Sequence, residues 1–349
     1  MSIRVLVVDD SRLIRDVLSS LLVRDGDIEV CGTAAEPNEA RQKIKALNPD
    51  VLTLDVEMPG MNGLAFLERL MRLHPMPVVM VSTLTRKGAD ETLLALELGA
   101  VDFVAKPDAT LSNGLERFGA ALRDKLRAAA TVRSLRAPDG EAGGGIRNAP
   151  SAAGPEGSVI AIGASTGGVD AIRMVLSGLA ADCAPVLITQ HMPAGFTARF
   201  AARLDELCPM RVVEAEDGMV LAPGHAYVAP GDSHLRIRGA QGRLRTALGQ
   251  DAAISGHRPS VDALFQSVAE TVGPMALGVI LTGMGRDGAR GLLAMREAGA
   301  HTIGQSPESA LVYGMPRVAF EEGAVIEQAP MEAIGLRLVQ ALSRLRRAA

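Results

Sequence analysis

Aromatic residues and cysteines are scarce in this sequence of 349 residues, and their scarcity limits the kinds of core and of disulfide or metal site that the protein is able to form. There is no tryptophan, and aromatic residues make up only 3% of the chain, so its cores have to be built from aliphatic side chains. The three cysteines, Cys31, Cys183 and Cys208, lie far apart and form no C-x-x-C pair. This usage argues against a disulfide framework or a zinc site and is typical of a reducing cytosol.

Long apolar runs and an excess of positive charge are also absent from the sequence. No apolar run reaches the ~18 residues that a bilayer span needs, and no cationic segment and cleavage site mark a signal peptide. We therefore expect a cytoplasmic protein without membrane insertion. The net charge of −4 argues against nucleic acid as the main ligand, because phosphate backbones bind clustered basic side chains.

The residues that are present suffice for two globular domains, with 48% hydrophobic and 22% charged residues. Residues 1–125 alternate short apolar runs with amphipathic stretches, which predicts a five-stranded, doubly wound parallel sheet. Residues 126–157 are rich in Gly, Ala, Pro and Ser and are predicted to be a flexible linker. Residues 158–349 return to an α/β pattern, which predicts a second domain with a mainly parallel sheet and a β-hairpin insertion.

Polar side chains follow the predicted strands of the first domain. In chain order they are Asp9, Asp10, Asp55, Thr83 and Lys106. The carboxyl ends of parallel strands share one edge of a sheet, so we expect these side chains to meet. Any one aspartate could be only a turn or helix-capping residue. Together, however, carboxylates with a hydroxyl and an ammonium group favour a phosphoryl-transfer site that binds Mg²⁺.

A glycine-rich turn opens the second domain. Gly163–Gly168 matches G-x-S-x-G, in which glycines expose the hydroxyl of Ser165 at a strand–helix turn. The same turn could instead bind a phosphate or only turn a corner. His191 and Asp287 each follow a later predicted strand, where they could serve as base and orienting acid. A lone histidine there could equally be structural.

The remaining histidines of the second domain are weaker candidates. His225 and His234 are predicted to be solvated strand or turn residues. His257 lies in a loop and could face a substrate. The order Ser, His, Asp differs from that of common α/β-hydrolases and argues against their fold.

Eight segments carry a resemblance to known families. In the first domain, four segments resemble response-regulator receiver domains over roughly residues 1–125: VLVVDDS, TLDVEMPGMNG, VVMVSTLT and DFVAKP. In the second, four resemble the catalytic domain of chemotaxis protein-glutamate methylesterases, the CheB family, over roughly residues 158–345: GASTGG, LITQHMP, SGHRPSVDALF and LTGMGRDGARG. The order receiver, linker, esterase is itself characteristic of that family.

The receiver resemblance implies a role for each residue of the first constellation. Asp55 would be the phospho-acceptor, and Thr83 and Lys106 would contact the phosphoryl group. Phe103 would be a rotating aromatic switch. The ligands of Mg²⁺ would be Asp10, assisted by Asp9, with Asp55 and the backbone of Glu57.

The esterase resemblance implies Ser165 as nucleophile, His191 as base and Asp287 as orienting acid, with no cofactor. Backbone N–H groups of Thr166 and Met284 would stabilise the oxyanion. The implied substrates are glutamate γ-methyl esters of chemoreceptors, with glutamine deamidation as a second activity. The implied phosphodonor is the chemotaxis histidine kinase, and the unphosphorylated enzyme, a monomer, would be inhibited.

Two other functions fit parts of the sequence. A receiver with a DNA-binding output would need a basic recognition helix, which the second domain lacks. A nucleotide-binding oxidoreductase could use Gly163–Gly168, and Asp182 lies near the expected acidic position. However, the glycines do not match G-x-G-x-x-G in register.

Overall fold

The computed structural model describes residues 2–58, 63–83, 85–106, 114–132, 153–240 and 243–348. The chain forms two compact units, Met1–Gly140 and Glu141–Ala349. Most of the predicted linker, residues 133–152, lies outside the described residues. None of the helices in the described ranges is both long and apolar enough to cross a membrane.

The described part of the first unit contains five strands and five α-helices. The strands are β1 (Ile3–Val8), β2 (Ile28–Ala34), β3 (Val51–Asp55), β4 (Val78–Ser82) and β5 (Asp102–Ala105). The helices are α1 (Arg12–Leu22), α2 (Pro37–Leu47), α3 (Gly63–Leu73), α4 (Arg86–Glu97) and α5 (Gly114–Ala130). All strand pairs are parallel, in the order β2-β1-β3-β4-β5, which confirms the predicted doubly wound sheet.

Helix α5 continues past residue 125, where the first domain was predicted to end. Leu122, Leu126 and Ala129 are fully buried and continue one apolar face of the helix. The alanine-rich stretch after Leu126 resembles a linker in composition, but its burial against the sheet keeps it helical to Ala130.

The second unit has nine strands and six helices among the described residues. The strands are β6 (Val159–Ala164), β7 (Val186–Gln190), β8 (Arg211–Glu214), β9 (His225–Val228), β10 (His234–Arg238), β11 (Arg245–Gly249), β12 (Ala276–Ile280), β13 (His301–Gln305) and β14 (Glu327–Ala329). The helices are α6 (Gly168–Ser177), α7 (Thr197–Leu207), α8 (Val261–Thr271), α9 (Ala289–Glu297), α10 (Met315–Glu321) and α11 (Met331–Ala348).

Seven of these strands form one parallel sheet in the order β14-β13-β12-β6-β7-β9-β8. Strands β10 and β11 pair with each other in antiparallel fashion and form the predicted hairpin. The short strands β8 and β9, which precede the hairpin in the chain, belong to the parallel sheet, because β9 pairs with β7 and with β8. A four-residue strand carries too little periodicity to specify its partner.

The chain leaves the central strand β6 toward β7 on one side, and β12 flanks it on the other. This is a topological switch point, where sites of parallel α/β sheets form beyond the carboxyl ends of the strands. Ala164 pairs with Gln190, and Gly163 pairs with Ile280. The residues that follow these three strands therefore share one edge of the sheet.

Candidate active site

Ser165 lies in the tight turn between β6 and α6. Its N–H donates to Thr282 O at 3.0 Å, and its carbonyl accepts from Gly168 N at 2.7 Å and from Gln190 Nε2 at 2.9 Å. Gly167 has φ +76°, and a Cβ at Gly168 would lie 2.1 Å from Gln190 Oε1. The glycines of the motif are therefore required by the backbone conformation and by close packing.

His191 directly follows β7 and is joined to the Ser165 turn by its backbone. Its N–H donates to Ala164 O at 3.1 Å. Its Nε2 lies 2.7 Å from Asp287 Oδ2. Because a carboxylate accepts, Nε2 carries the proton and Nδ1 carries the lone pair. Nδ1 is buried and has no hydrogen-bond partner among the described residues, so it is the nitrogen that is able to take a proton.

Asp287 lies between β12 and α9 in the chain, and its fully buried side chain contacts the first turn of α8. Besides His191, its carboxylate accepts from Ser260 Oγ at 2.7 Å, Val261 N at 2.8 Å and Asp262 N at 3.1 Å. Burial acts to raise the pKa of Asp287, but the bonds from His191 and Ser260 outweigh it and hold that pKa below its ordinary value. His191, together with the donors at the start of α8, thus favours the ionised form of this acid.

Asp262 forms the next layer of the site. Its Oδ1 accepts from Gly291 N at 2.8 Å, and its Oδ2 accepts from Ser255 Oγ at 2.9 Å. Burial, together with the negative charge of Asp287, raises the pKa of Asp262. Of the two neighbouring carboxyls, Asp287 therefore carries the charge more readily.

Two further histidines belong to this region. The ring of His257 stacks on that of His191, with centroids 3.8 Å apart and planes within 4°. His234 is fully buried: its Nδ1 accepts from Ser260 N at 3.2 Å, and its Nε2 lies 3.1 Å from Ala252 O. The interpretation of His234 as a solvated residue was wrong, because the hairpin packs against α8 and encloses it.

Ligand atoms of His191, His257 and Asp287 lie close enough together to hold a metal ion. The ring geometry does not fit one, because the lone pairs of two stacked, parallel imidazoles point alongside each other rather than toward a common point. The arrangement instead fits a pair of stacked rings in which His191 Nδ1 is the proton-accepting nitrogen.

The predicted oxyanion donors lie in segments that adjoin Ser165. Thr166 follows it directly and is buried, and its carbonyl accepts from Thr282 Oγ1 at 2.9 Å. Gly283 packs its backbone against the serine, since a Cβ there would lie 2.7 Å from Ser165 Cβ. Met284 is the next residue along the chain.

The first unit contains a separate polar cluster at the carboxyl ends of β1, β3 and β5. Lys106 Nζ donates to Asp9 Oδ2 at 3.0 Å and to Asp55 Oδ2 at 2.8 Å. Carboxylate oxygens of Asp9, Asp10 and Asp55 lie within 4.8 Å of one another. This all-oxygen donor set fits a hard divalent cation. Burial raises the pKa of Asp55 to about 6, although Lys106 acts in the opposite direction.

The other predicted receiver residues are Glu57, Thr83 and Phe103, and Glu57 contacts the cluster directly. Glu57 N donates to Asp55 Oδ1 at 3.4 Å, and Thr83 Oγ1 lies 3.3 Å from Thr85 Oγ1. Phe103 is 3% exposed, so its ring is turned inward, and Lys125 Nζ lies 5.2 Å from the ring centroid.

Sequence reasoning missed Ser260, His234 and the stacking of His257. Ser260 caps α8, since its Oγ accepts from Ala263 N at 3.4 Å. A serine directly before a helical pattern is a recognisable cap signal, but nothing in the sequence shows that its hydroxyl also binds Asp287.

Fold and site together define two parallel α/β units: the first has an acidic cluster with a lysine at the edge of its sheet, and in the second Ser165, His191 and Asp287 follow three neighbouring strands. The response regulator receiver domain family matches residues 5–113, and the CheB methylesterase family matches residues 160–338. A Thermotoga maritima CheB methylesterase catalytic domain aligns with TM-score 0.52 and 36% identity, covering 53% of this chain and 99% of that one.

Relatives match over almost the whole length. A Caulobacter vibrioides protein-glutamate methylesterase/protein-glutamine glutaminase 1 is 55% identical, with 99% of both chains covered. A protein of the same name from Dechloromonas aromatica is 53% identical, covering 97% of this chain and 98% of the relative. The chain therefore belongs to the CheB methylesterase family, in the form that carries an N-terminal response regulator receiver domain.

Proposed function

We propose that Ser165, His191 and Asp287 are the catalytic triad of a protein-glutamate methylesterase. The observation that carries this assignment is the state of His191, whose Nε2 is anchored on a buried carboxylate while Nδ1 is buried without a partner among the described residues. A general base needs such an available nitrogen on an oriented ring. The names of the full-length relatives supply the substrate class.

In this reaction Ser165 Oγ attacks the carbonyl carbon of a glutamate γ-methyl ester while its proton passes to His191 Nδ1. The resulting oxyanion is stabilised by the N–H groups of Thr166 and Met284. When the carbon–methoxy bond breaks, His191 returns the proton and methanol leaves. Water then attacks the acyl-enzyme with His191 as base, which releases glutamate and restores Ser165. With a glutamine substrate, ammonia leaves instead of methanol.

Asp287 would act throughout as the partner of the imidazolium. The negative charge next to Nε2 stabilises the positive charge that His191 acquires in each transition state. The hydrogen bonds from His191 and from Ser260 at the start of α8 keep the pKa of Asp287 low, so the carboxylate is available in its ionised form.

In the receiver domain, Asp55 would accept the phosphoryl group from the chemotaxis histidine kinase. Mg²⁺ would be held by Asp10, assisted by Asp9, with Asp55 and the backbone of Glu57, and would neutralise phosphoryl oxygens when bound. Lys106 already bridges two of these carboxylates and would contact the same oxygens, as would Thr83. Phe103 would report the phosphorylated state by rotation of its ring.

Phosphorylation of Asp55 would then relieve inhibition of the esterase through residues 126–157, which we propose as the linker between domains 1–125 and 158–349. The substrates would be methylated chemoreceptors. The enzyme would act as a monomer in the cytoplasm, a reducing compartment consistent with three free cysteines.

The proposal is tested by methanol release from methylated receptor membranes, with and without a small phosphodonor plus Mg²⁺. Loss of methanol release in Ser165→Ala supports the triad. A rise in release with the phosphodonor that is absent in Asp55→Asn supports activation by phosphorylation of Asp55. Undiminished release from Ser165→Ala would contradict the nucleophile. An unchanged rise in Asp55→Asn would contradict the acceptor.

A further inference from the structure

Two imidazole rings lie face to face in the esterase site, and only one belongs to the proposed triad. We propose that His257 is a positioning residue, whose ring holds the plane of His191 in which Nδ1 serves as the base for Ser165. The inference rests on the proposed roles of Ser165 and His191. It assigns to His257 a function that neither its loop position nor the triad itself predicts.

His191 needs a second support. Within the described part of the chain, its side chain is anchored by one hydrogen bond, from Nε2 to Asp287 Oδ2. The outer torsion of a histidine side chain has broad minima, so a ring held at one atom is able to tilt around that contact. The parallel stack at 3.8 Å prevents the tilt, because either ring would move into the other. With both supports, Nδ1 keeps one direction.

His257 is itself held in place. Its backbone pairs with that of Ile254 in both directions, at 2.9 and 3.1 Å. The two residues between them, Ser255 and Gly256, have φ +52° and +83°, as in a tight two-residue hairpin turn. The Nδ1 of His257 donates to Ser255 O at 2.9 Å, which fixes the orientation of the ring.

The turn is tied to the same helix start that holds Asp287. Ser255 Oγ donates to Asp262 Oδ2 at 2.9 Å, and Asp262 N donates to Asp287 Oδ1 at 3.1 Å. Asp287 and His257, the two supports of His191, are therefore both fastened to the first turn of α8. A rigid common base of this kind preserves the relative geometry of groups in a site.

If stacking is the function of His257, the presence of its ring matters more than the bond from its Nδ1, because the backbone pair with Ile254 also holds the residue in place. His257→Phe keeps a flat ring but removes the bond to Ser255 O. His257→Asn keeps a donor for that carbonyl but removes the ring. His225→Asn is the matched control, because His225 Nδ1 bonds in the same way to Pro223 O at 3.0 Å. His225 begins β9 and so lies at the opposite edge of the sheet.

We expect kcat for methyl ester hydrolysis to fall about 10-fold to 100-fold in His257→Asn with little change in KM, because misplacement of a base acts on the chemical step. The kcat of His257→Phe should stay within about threefold of the wild-type value. The kcat of His225→Asn should equal the wild-type value. A wild-type kcat in His257→Asn would overturn the proposal. An equal loss of kcat in His257→Asn and His257→Phe would also overturn it. Thermal unfolding of each variant verifies that it is folded.

A second measurement is independent of the receptor substrate. A small fluorophosphonate reacts when Ser165 Oγ bonds to phosphorus, fluoride leaves, and the serine proton passes to His191. The labelling rate should fall in His257→Asn and be retained in His257→Phe. Labelling that stays fast in His257→Asn contradicts the positioning role. Absence of label at Ser165 in wild type contradicts the triad instead.

Discussion

Asp287 and Asp262 cap each other's helices. Asp287 precedes α9 but accepts from the first N–H groups of α8, whereas Asp262 lies in the first turn of α8 and accepts from Gly291 N in α9. The exchange joins the two helices at their N-termini, next to the proposed base. Their carboxyls nevertheless have opposite tendencies, since the pKa of Asp287 is lowered and that of Asp262 is raised.

The first prediction concerns amide replacements in this pair. Asp287→Asn places an NH₂ group against N–H donors and should cost about 2–4 kcal/mol in the free energy of unfolding of the second unit. It should also reduce kcat by about 10²–10⁴ through the wrong tautomer of His191. Asp262→Asn is able to accept from Gly291 N and donate to Ser255 Oγ, so it should change stability by less than about 1 kcal/mol.

Tyrosine fluorescence measures this difference selectively. The chain has two tyrosines, Tyr227 and Tyr313, and no tryptophan, so urea unfolding followed at tyrosine wavelengths reports the second unit alone. Equal losses of stability in the two amide variants would contradict the different protonation tendencies of the two acids.

The second prediction concerns acid. A carboxyl whose folded pKa is lowered stabilises the fold fully above its unfolded pKa, near 3.8 for Asp287, and loses this contribution as pH falls through the folded value. Wild type should therefore lose stability as the pH is lowered past about 4, and Asp287→Asn should lose less. Urea midpoints at neutral and acid pH test this, and a parallel loss in both proteins would contradict it.

The third prediction concerns the backbone beside the nucleophile. A Cβ at Gly283 would lie 2.4 Å from Met315 Sδ and 2.7 Å from Ser165 Cβ, so Gly283→Ala must displace one of them. We expect kcat to fall about 10-fold to 100-fold, because Ser165 and the neighbouring N–H of Met284 shift together. Gly178→Ala is the control, since the nearest atom to its Cβ is 3.4 Å away. Equal kcat values for Gly283→Ala and Gly178→Ala would contradict this prediction and show that the site accommodates the methyl group.

The fourth prediction concerns the receiver. Lys106→Met removes the ammonium group between Asp9 and Asp55. Stimulation of methanol release by a phosphodonor should disappear, because no cation other than the metal would then neutralise the phosphoryl oxygens. Release without a phosphodonor should stay at the wild-type level. Lys45→Met, on the exposed face of α2, should respond like wild type. Full stimulation of Lys106→Met would contradict the role of this lysine.

Local pattern was enough to predict most elements and the residues that end the strands. Ile3–Val8 and Val51–Asp55 are apolar runs that end in a turn or a carboxylate, and a parallel sheet places such ends at one edge whatever the details of packing. The glycine motif at Ser165 is also local, because its spacing reflects one strand–turn–helix unit. These features depend on neighbours in sequence, and the sequence by itself determined them.

Contacts across the fold were decided by tertiary structure alone. His191 and Asp287 lie 96 residues apart, and their bond depends on β7 and β12 flanking β6 in the sheet. The same holds for the stacking of His257 and for the burial of His234, which depends on where the hairpin packs. Periodicity records which face of an element is apolar, but it carries no information about which distant element covers that face.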